Sequence, residues 1–142
     1  MKNVKLIVVI VIVAIFANGL SAEEQNNNFN WTKAEKQNFV NIYTQSLNNS
    51  NDGVAESALM NVIKMKLENP NLNFKKATKT IVKLKNRNDG IEYYKLVVAE
   101  TVMEKSESFT ANQDFLTINN IDTFFNELTK DVNIKKYVLA TL

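Results

Sequence analysis

Cysteine and histidine are both absent from the 142 residues, and glycine (three), proline (one) and tryptophan (one) are scarce. Without cysteine no disulfide can hold the chain, so a small loop-rich toxin or growth-factor scaffold is disfavoured and the fold must rest on packing alone. Without histidine the commonest general base at neutral pH and the commonest metal ligand are missing, and catalysis starts at a disadvantage. The glycines at 19, 53 and 90 stand alone, which leaves no glycine-rich loop to cradle a phosphate. Ser57 and Ser106 lie in no nucleophile motif. No cofactor, no metal and no enzymatic activity are expected. An excess of one charge is missing as well: 17 basic residues face 15 acidic ones, and beyond residue 22 the two are equal in number. Such a balance disfavours a nucleic-acid binder and a strongly acidic solubilising protein alike.

What is there begins with a basic start at Lys2 and Lys5, an apolar run of 12 residues from Leu6 to Ala17, and a small polar exit at Asn18, Gly19, Ser21 and Ala22. That order is the order of a secretory signal peptide. At about 1.5 Å per residue the run covers roughly 18 Å, short of the roughly 30 Å hydrocarbon core, so no stable membrane span is expected after cleavage. Cleavage after Ala22 is the first expectation and after Gly19 the second, with an uncleaved signal anchor as the competing reading. The chain is therefore read as a signal peptide over 1–22, a flexible lead-in over 23–31 and a helical domain over 32–142. Its expected destination is the periplasm if the host is bacterial, and otherwise the extracellular space or secretory pathway. Two sequons, Asn30 with Thr32 and Asn48 with Ser50, matter only where the host glycosylates exported asparagines.

Periodicity predicts helices through most of the domain. Thr32 and Glu35 match a capping box, and Phe39, Tyr43 and Leu47 recur every four residues behind it, which predicts a helix over 33–48. A second, apolar around most of its girth, is expected over 52–68 before Asn69 and Pro70. Asn73 is placed to cap a third over 73–87, with Phe74, Ala77, Ile81 and Leu84 on one stripe and Lys75, Lys79 and Lys83 on another. A fourth is expected over 90–105, a packed connection holds Phe109, Phe115, Leu116 and Ile118, and two shorter helices follow over 119–130 and 132–142. The competing reading is a β-hairpin between Thr80 and Ala99, since Val82 to Lys85 alternate and Asp89-Gly90 is a hairpin turn pair.

The segment Leu47 to Val54 repeats at an offset of 37 residues as Leu84 to Ile91, with the leucine, the Asn-Asp-Gly triplet and a following β-branched residue in register. Leu128, Asp131, Val132 and Tyr137 to Leu139 read as a degraded third copy. This arrangement resembles HEAT-like helical-hairpin repeats over most of the mature chain. The resemblance implies an all-α fold of three stacked helical hairpins, a short α-solenoid, in which each hairpin needs a neighbour to bury its apolar face. The family's frequent first-helix proline and its charged second-helix positions are not evident here. A compact irregular bundle is the alternative.

Two polar features carry candidate chemistry. Between Lys64 and Arg87 stand eight basic residues and one acid, Glu68. Lys75, Lys76, Lys79, Lys83 and Arg87 are the candidate partner-binding face, suited to a protein or an acidic surface ligand; the plainer reading is a solvated face paired with acidic neighbours. Glu100 lies in an apolar stretch with Tyr93 and Tyr94 two turns before it, as a lone functional acid would, or else pairs with a lysine on a neighbouring helix. Trp31 is read as a lid on the first hairpin. The leading expectation is an exported, non-enzymatic binding or scaffold protein. A secreted inhibitor or immunity-type protein and, less favoured, a small hydrolase or lyase using Glu100 are the rivals.

Overall fold

The computed structural model describes residues 30–87, 90–108 and 113–141. The signal peptide with both cleavage candidates, the lead-in up to residue 29, Asn88 and Asp89 of the second repeated turn, and Phe109 lie outside the described residues. Six helices, α1 (Lys33–Ser46), α2 (Asp52–Glu68), α3 (Lys75–Arg87), α4 (Tyr93–Lys105), α5 (Ile121–Lys130) and α6 (Val132–Thr141), account for the architecture, with 3₁₀ turns at Ser106–Ser108 and Gln113–Thr117 in the connection before α5. No strand occurs among the described residues, and the stretch from Thr80 to Arg87 and from Tyr93 to Ala99 is helical.

The helix starts follow from side chains that satisfy orphan backbone donors. Thr32 and Glu35 form a reciprocal capping box: the Glu35 amide donates to Thr32 Oγ1 at 3.2 Å and the Thr32 amide to Glu35 Oε2 at 2.8 Å. The Thr32 amide and, at 2.7 Å, the Thr32 hydroxyl both donate to Glu35 Oε2 and hold the carboxyl pKa below its ordinary value. Asn51 caps α2 by accepting from the Val54 amide at 3.1 Å, and Asn120 caps α5 by accepting from the Thr123 amide at 2.9 Å. α4 begins at Tyr93, three residues later than the sequence pattern predicts. The cause is Gly90, which sits at φ +79° and turns the chain before Ile91 drops into the core.

Consecutive helices pack in pairs, α1 with α2, α3 with α4 and α5 with α6. Between pairs, α1 lies on α3, α2 on α4, and α4 on α6, while α5 rests on α2 and α4. Burial follows the 37-residue offset: Val40 and Ala77, Leu47 and Leu84, Leu59 and Leu96, Met60 and Val97, and Val62 and Ala99 are all buried. The two repeated turns also meet in space, since a Cβ added at Gly90 would stand 3.3 Å from Asp52 Oδ1. α4 is the hub. It touches α2, α3, α5 and α6, so Leu96 to Ala99, on successive sides of the helix, are all fully enclosed. α3 touches chiefly α1 and α4 and buries only Ala77, Ile81 and Leu84, which leaves its lysine side outward. The first and second pairs are further stapled by Gln37, whose side chain donates to the Asn73 carbonyl at 3.0 Å and accepts from the Asn73 amide at 2.8 Å.

Candidate functional site

The basic run splits into two groups with different environments. Lys64, Lys66 and Lys85 are engaged inside the fold. Lys64 Nζ donates to the Ile118 carbonyl at 2.6 Å and stands 5.6 Å from the Phe124 ring centre, so it pins the connection to α2. Burial lowers its pKa, with Glu68 pulling weakly the other way. Lys66 Nζ lies 5.2 Å over the Phe74 ring, a cation–π distance. Lys85 pairs with Glu100, so the carboxylate singled out in the sequence is held by a lysine of the neighbouring helix, α3. Glu100 lines neither cavity described below.

The second group is the solvent face of α3. Lys75, Lys76, Lys79, Lys83 and Arg87 are all exposed. Lys75, Lys76, Lys79 and Lys83 make no ion pair with the described residues. Four-residue spacing stacks Lys75, Lys79 and Lys83 along one line of the helix. Beside its N-terminal half runs a groove of about 610 Å³ with Leu72, Phe74 and Met103 on its floor and Lys66, Lys75 and Lys79 on its rim. A smaller cavity of about 350 Å³ lies between the two repeated turns, bordered by Leu47, Asp52, Leu84 and Gly90.

Lys95 was not distinguished by sequence reasoning, yet it is the most enclosed charge in the molecule's described part. Its side chain is 2% exposed. Nζ donates to Glu56 Oε2 at 2.9 Å and Asp122 Oδ1 at 2.8 Å, with Glu92 Oε2 at 3.7 Å. The rings of Tyr94 and Phe125 each lie 5.9 Å away. Burial works to strip its proton, but the hydrogen bonds it donates to Asp122 and Glu56 outweigh it and hold its pKa above the ordinary lysine value. The three partners stand near the starts of α2, α4 and α5, so one ammonium ties three helix ends together. By the 37-residue offset Lys95 occupies the place of Ala58, also buried. That mismatch was the available signal: a lysine inside Tyr94-Lys95-Leu96-Val97 at a position where the matching helix carries alanine.

Trp31 meets Phe39 edge-on at 5.0 Å, and Phe39 stacks on Tyr43 at 6.4 Å, so the tryptophan covers the outer side of α1 while staying 45% exposed. Among the described residues no group of acidic side chains is arranged to hold a metal ion, and no helix is long and apolar enough to cross a membrane. No family model matches the chain, and neither a curated protein nor a solved structure matches it.

Proposed function

We propose that this chain is an exported, non-enzymatic binding or scaffold protein, built as a short stack of HEAT-like helical hairpins, whose working surface is the lysine face of α3. The observation that carries the reading is the contrast between two sets of cations: Lys64, Lys66, Lys85 and Lys95 are each engaged by a carbonyl, a ring or a carboxylate, whereas Lys75, Lys76, Lys79 and Lys83 project outward with no ion pair to the described residues. Unpaired like charges on one helix repel one another, so a fold that engages its inward-lying lysines and leaves these four together on one helix carries a small standing cost that an anionic partner would relieve. Stacking of α1 on α3 and α2 on α4, with burial recurring at the repeat offset, supports the helical-hairpin repeat. The position of α5 on α2 and α4 makes the last pair a cap on the second helices instead of a third regular layer.

The signal-like N-terminus supports export, to the periplasm in a bacterium and to the extracellular space or secretory pathway otherwise. The expected partner is a protein or an acidic surface ligand. The test is capture of partners from the protein's own compartment by the chain and by a variant carrying Lys75→Glu, Lys79→Glu and Lys83→Glu. A specific partner captured by the first and lost by the second supports the reading; identical capture by both rejects it.

A further inference from the structure

We infer that the α3 face takes an extended acidic segment in which carboxylates alternate with apolar side chains, the carboxylates pairing with Lys75, Lys79 and Lys83 and an apolar side chain resting in the groove floored by Leu72, Phe74 and Met103. The inference rests on the reading of α3 as the binding face and adds the chemistry of what binds there.

Spacing is the first argument. Residues four apart on an α-helix are separated by about 6.0 Å along the axis, and residues two apart on an extended chain by about 6.6 Å. A row of lysines at positions 75, 79 and 83 therefore matches every second residue of a strand-like peptide to within about half an ångström per step. The helical row drifts by about 40° per step, so the match holds over two or three carboxylates and then parts company. Side chains between the carboxylates of such a peptide point the opposite way, so the segment lies edge-on between the lysine row and the groove, with its carboxylates toward the lysines and its apolar side chains toward the groove.

The groove is the second argument. It adjoins Lys75 and Lys79 but not Lys83, so it lies at one end of the row. It is shallow and open, and its floor is apolar: Leu72, Phe74 and Met103 show a narrow strip of surface there, part of the Phe74 ring lying under Lys66. A surface of that shape gains from one apolar side chain lying across it, with charge pairing alongside. A purely polyanionic ligand would use the lysines and leave the groove empty. A flat anionic membrane would meet the same lysines, but α3 presents no exposed large apolar residue to insert into lipid.

The probe is a labelled six-residue peptide of alternating glutamate and leucine with blocked ends. Its controls are a peptide of the same composition with three glutamates followed by three leucines, a glutamine-for-glutamate version, and vesicles rich in anionic phosphatidylglycerol. All are titrated by fluorescence anisotropy or co-sedimentation against the chain as isolated from its compartment and against the triple charge-reversal variant prepared in the same way. The alternating peptide should bind with a salt-dependent affinity that falls roughly tenfold or more in the triple variant, where three exposed pairs are lost. The block and glutamine peptides should bind more weakly to the native chain. Equal binding of alternating and block peptides overturns the inference, as does binding that survives charge reversal. Vesicles bound through the lysines with the peptide ignored would replace the acidic segment by a lipid surface. If a compartment partner is lost in the triple variant while no alternating peptide binds, the α3 face stands as the binding surface and the alternating acidic ligand falls.

Discussion

Lys95→Met and the double change Glu56→Gln with Asp122→Asn break the same ion cluster from opposite sides, and the fold should tolerate them very differently. Methionine keeps most of the lysine's volume among Tyr94, Phe125 and the α2 flank and removes the desolvated charge. The carboxylates left behind can hydrate, since Asp122 is 73% exposed and Glu92 59%, and only Glu56, at 17%, stays confined. The expected cost is about 1–2 kcal/mol, set by the stranding of Glu56. The double amide variant does the reverse, because it leaves an ammonium that is 2% exposed without a charged partner closer than Glu92 at 3.7 Å. Stranding a buried charge costs about 3–5 kcal/mol, and about 3 is expected here because the amide oxygens still accept its hydrogen bonds. Against a domain stability of roughly 5–15 kcal/mol, the first variant stays folded at 37 °C and the second approaches its limit. Urea denaturation followed by helical circular dichroism measures both, with an unchanged slope showing that midpoint shifts report stability. If Lys95→Met destabilises as much as the double variant, an apolar side chain cannot stand in for the paired ammonium, and the reasoning that its removal leaves carboxylates able to hydrate is wrong.

Alkaline titration tests the same cluster by another route. Lys95, with a folded pKa above its ordinary 10.5, contributes stability that is complete below that value and is lost as pH rises through the folded pKa. Tyr43 and Tyr94, raised above 10.0 by burial, act in the same direction, while Lys64, lowered by burial, acts in the opposite one. Stability should therefore fall above about pH 10, and Lys95→Met should show a shallower fall than Tyr43→Phe with Lys95 intact. Gly90→Ala should cost about 1–2 kcal/mol, because φ is +79° and the new methyl would press on Asp52, whereas Gly53→Ala, inside the first turn of α2, should lie within about 1 kcal/mol of neutral; thermal melts separate them. Thr32→Ala should lower stability by about 1 kcal/mol through loss of the cap, seen as a lower melting temperature. On α3, Ile81→Ala should cost about 2–5 kcal/mol and Lys83→Glu almost nothing, a contrast that chemical denaturation reads directly.

Where side-chain chemistry acts locally, the sequence was readable. The Thr32–Glu35 box and the apolar stripe of Ala77, Ile81 and Leu84 depend on residues within one or two turns of each other, and each is found as its pattern predicts. The start of α4 was misplaced because Asp89-Gly90 looks like Asp52-Gly53 in sequence but not in backbone: Gly53 is helical, and Gly90 is left-handed. Long-range pairing was the part out of reach. That Glu100 would meet Lys85, or that Lys95 would find Glu56 across 39 positions and Asp122 across 27, depends on how α2, α3, α4 and α5 are set against one another, and no local period encodes that. The basic run showed the limit most clearly, since its eight cations look alike in one dimension and divide into structural and solvent-facing sets only once α2 and α3 have neighbours.

That division follows from where each helix stands. α4 is surrounded by four others, so any charge it carries inward must be neutralised there, and Lys95 and Glu100 each find an opposite charge. α3 is held chiefly by α1 and α4 through three buried residues, and Lys75, Lys76, Lys79 and Lys83 on its other side stay exposed. Uncovered helix surface in water needs polar side chains, but it does not need them to share a sign. A surface selected only for solubility would mix Lys with Glu at four-residue spacing, because such pairs stabilise the helix by about 0.2–0.5 kcal/mol each and like pairs cost about as much. α3 places Lys75, Lys79 and Lys83 at that spacing and contains no acid from Lys75 to Arg87. A helix that gives up this gain at every turn of one face would recover it from the anionic partner proposed above, which would supply the missing carboxylates.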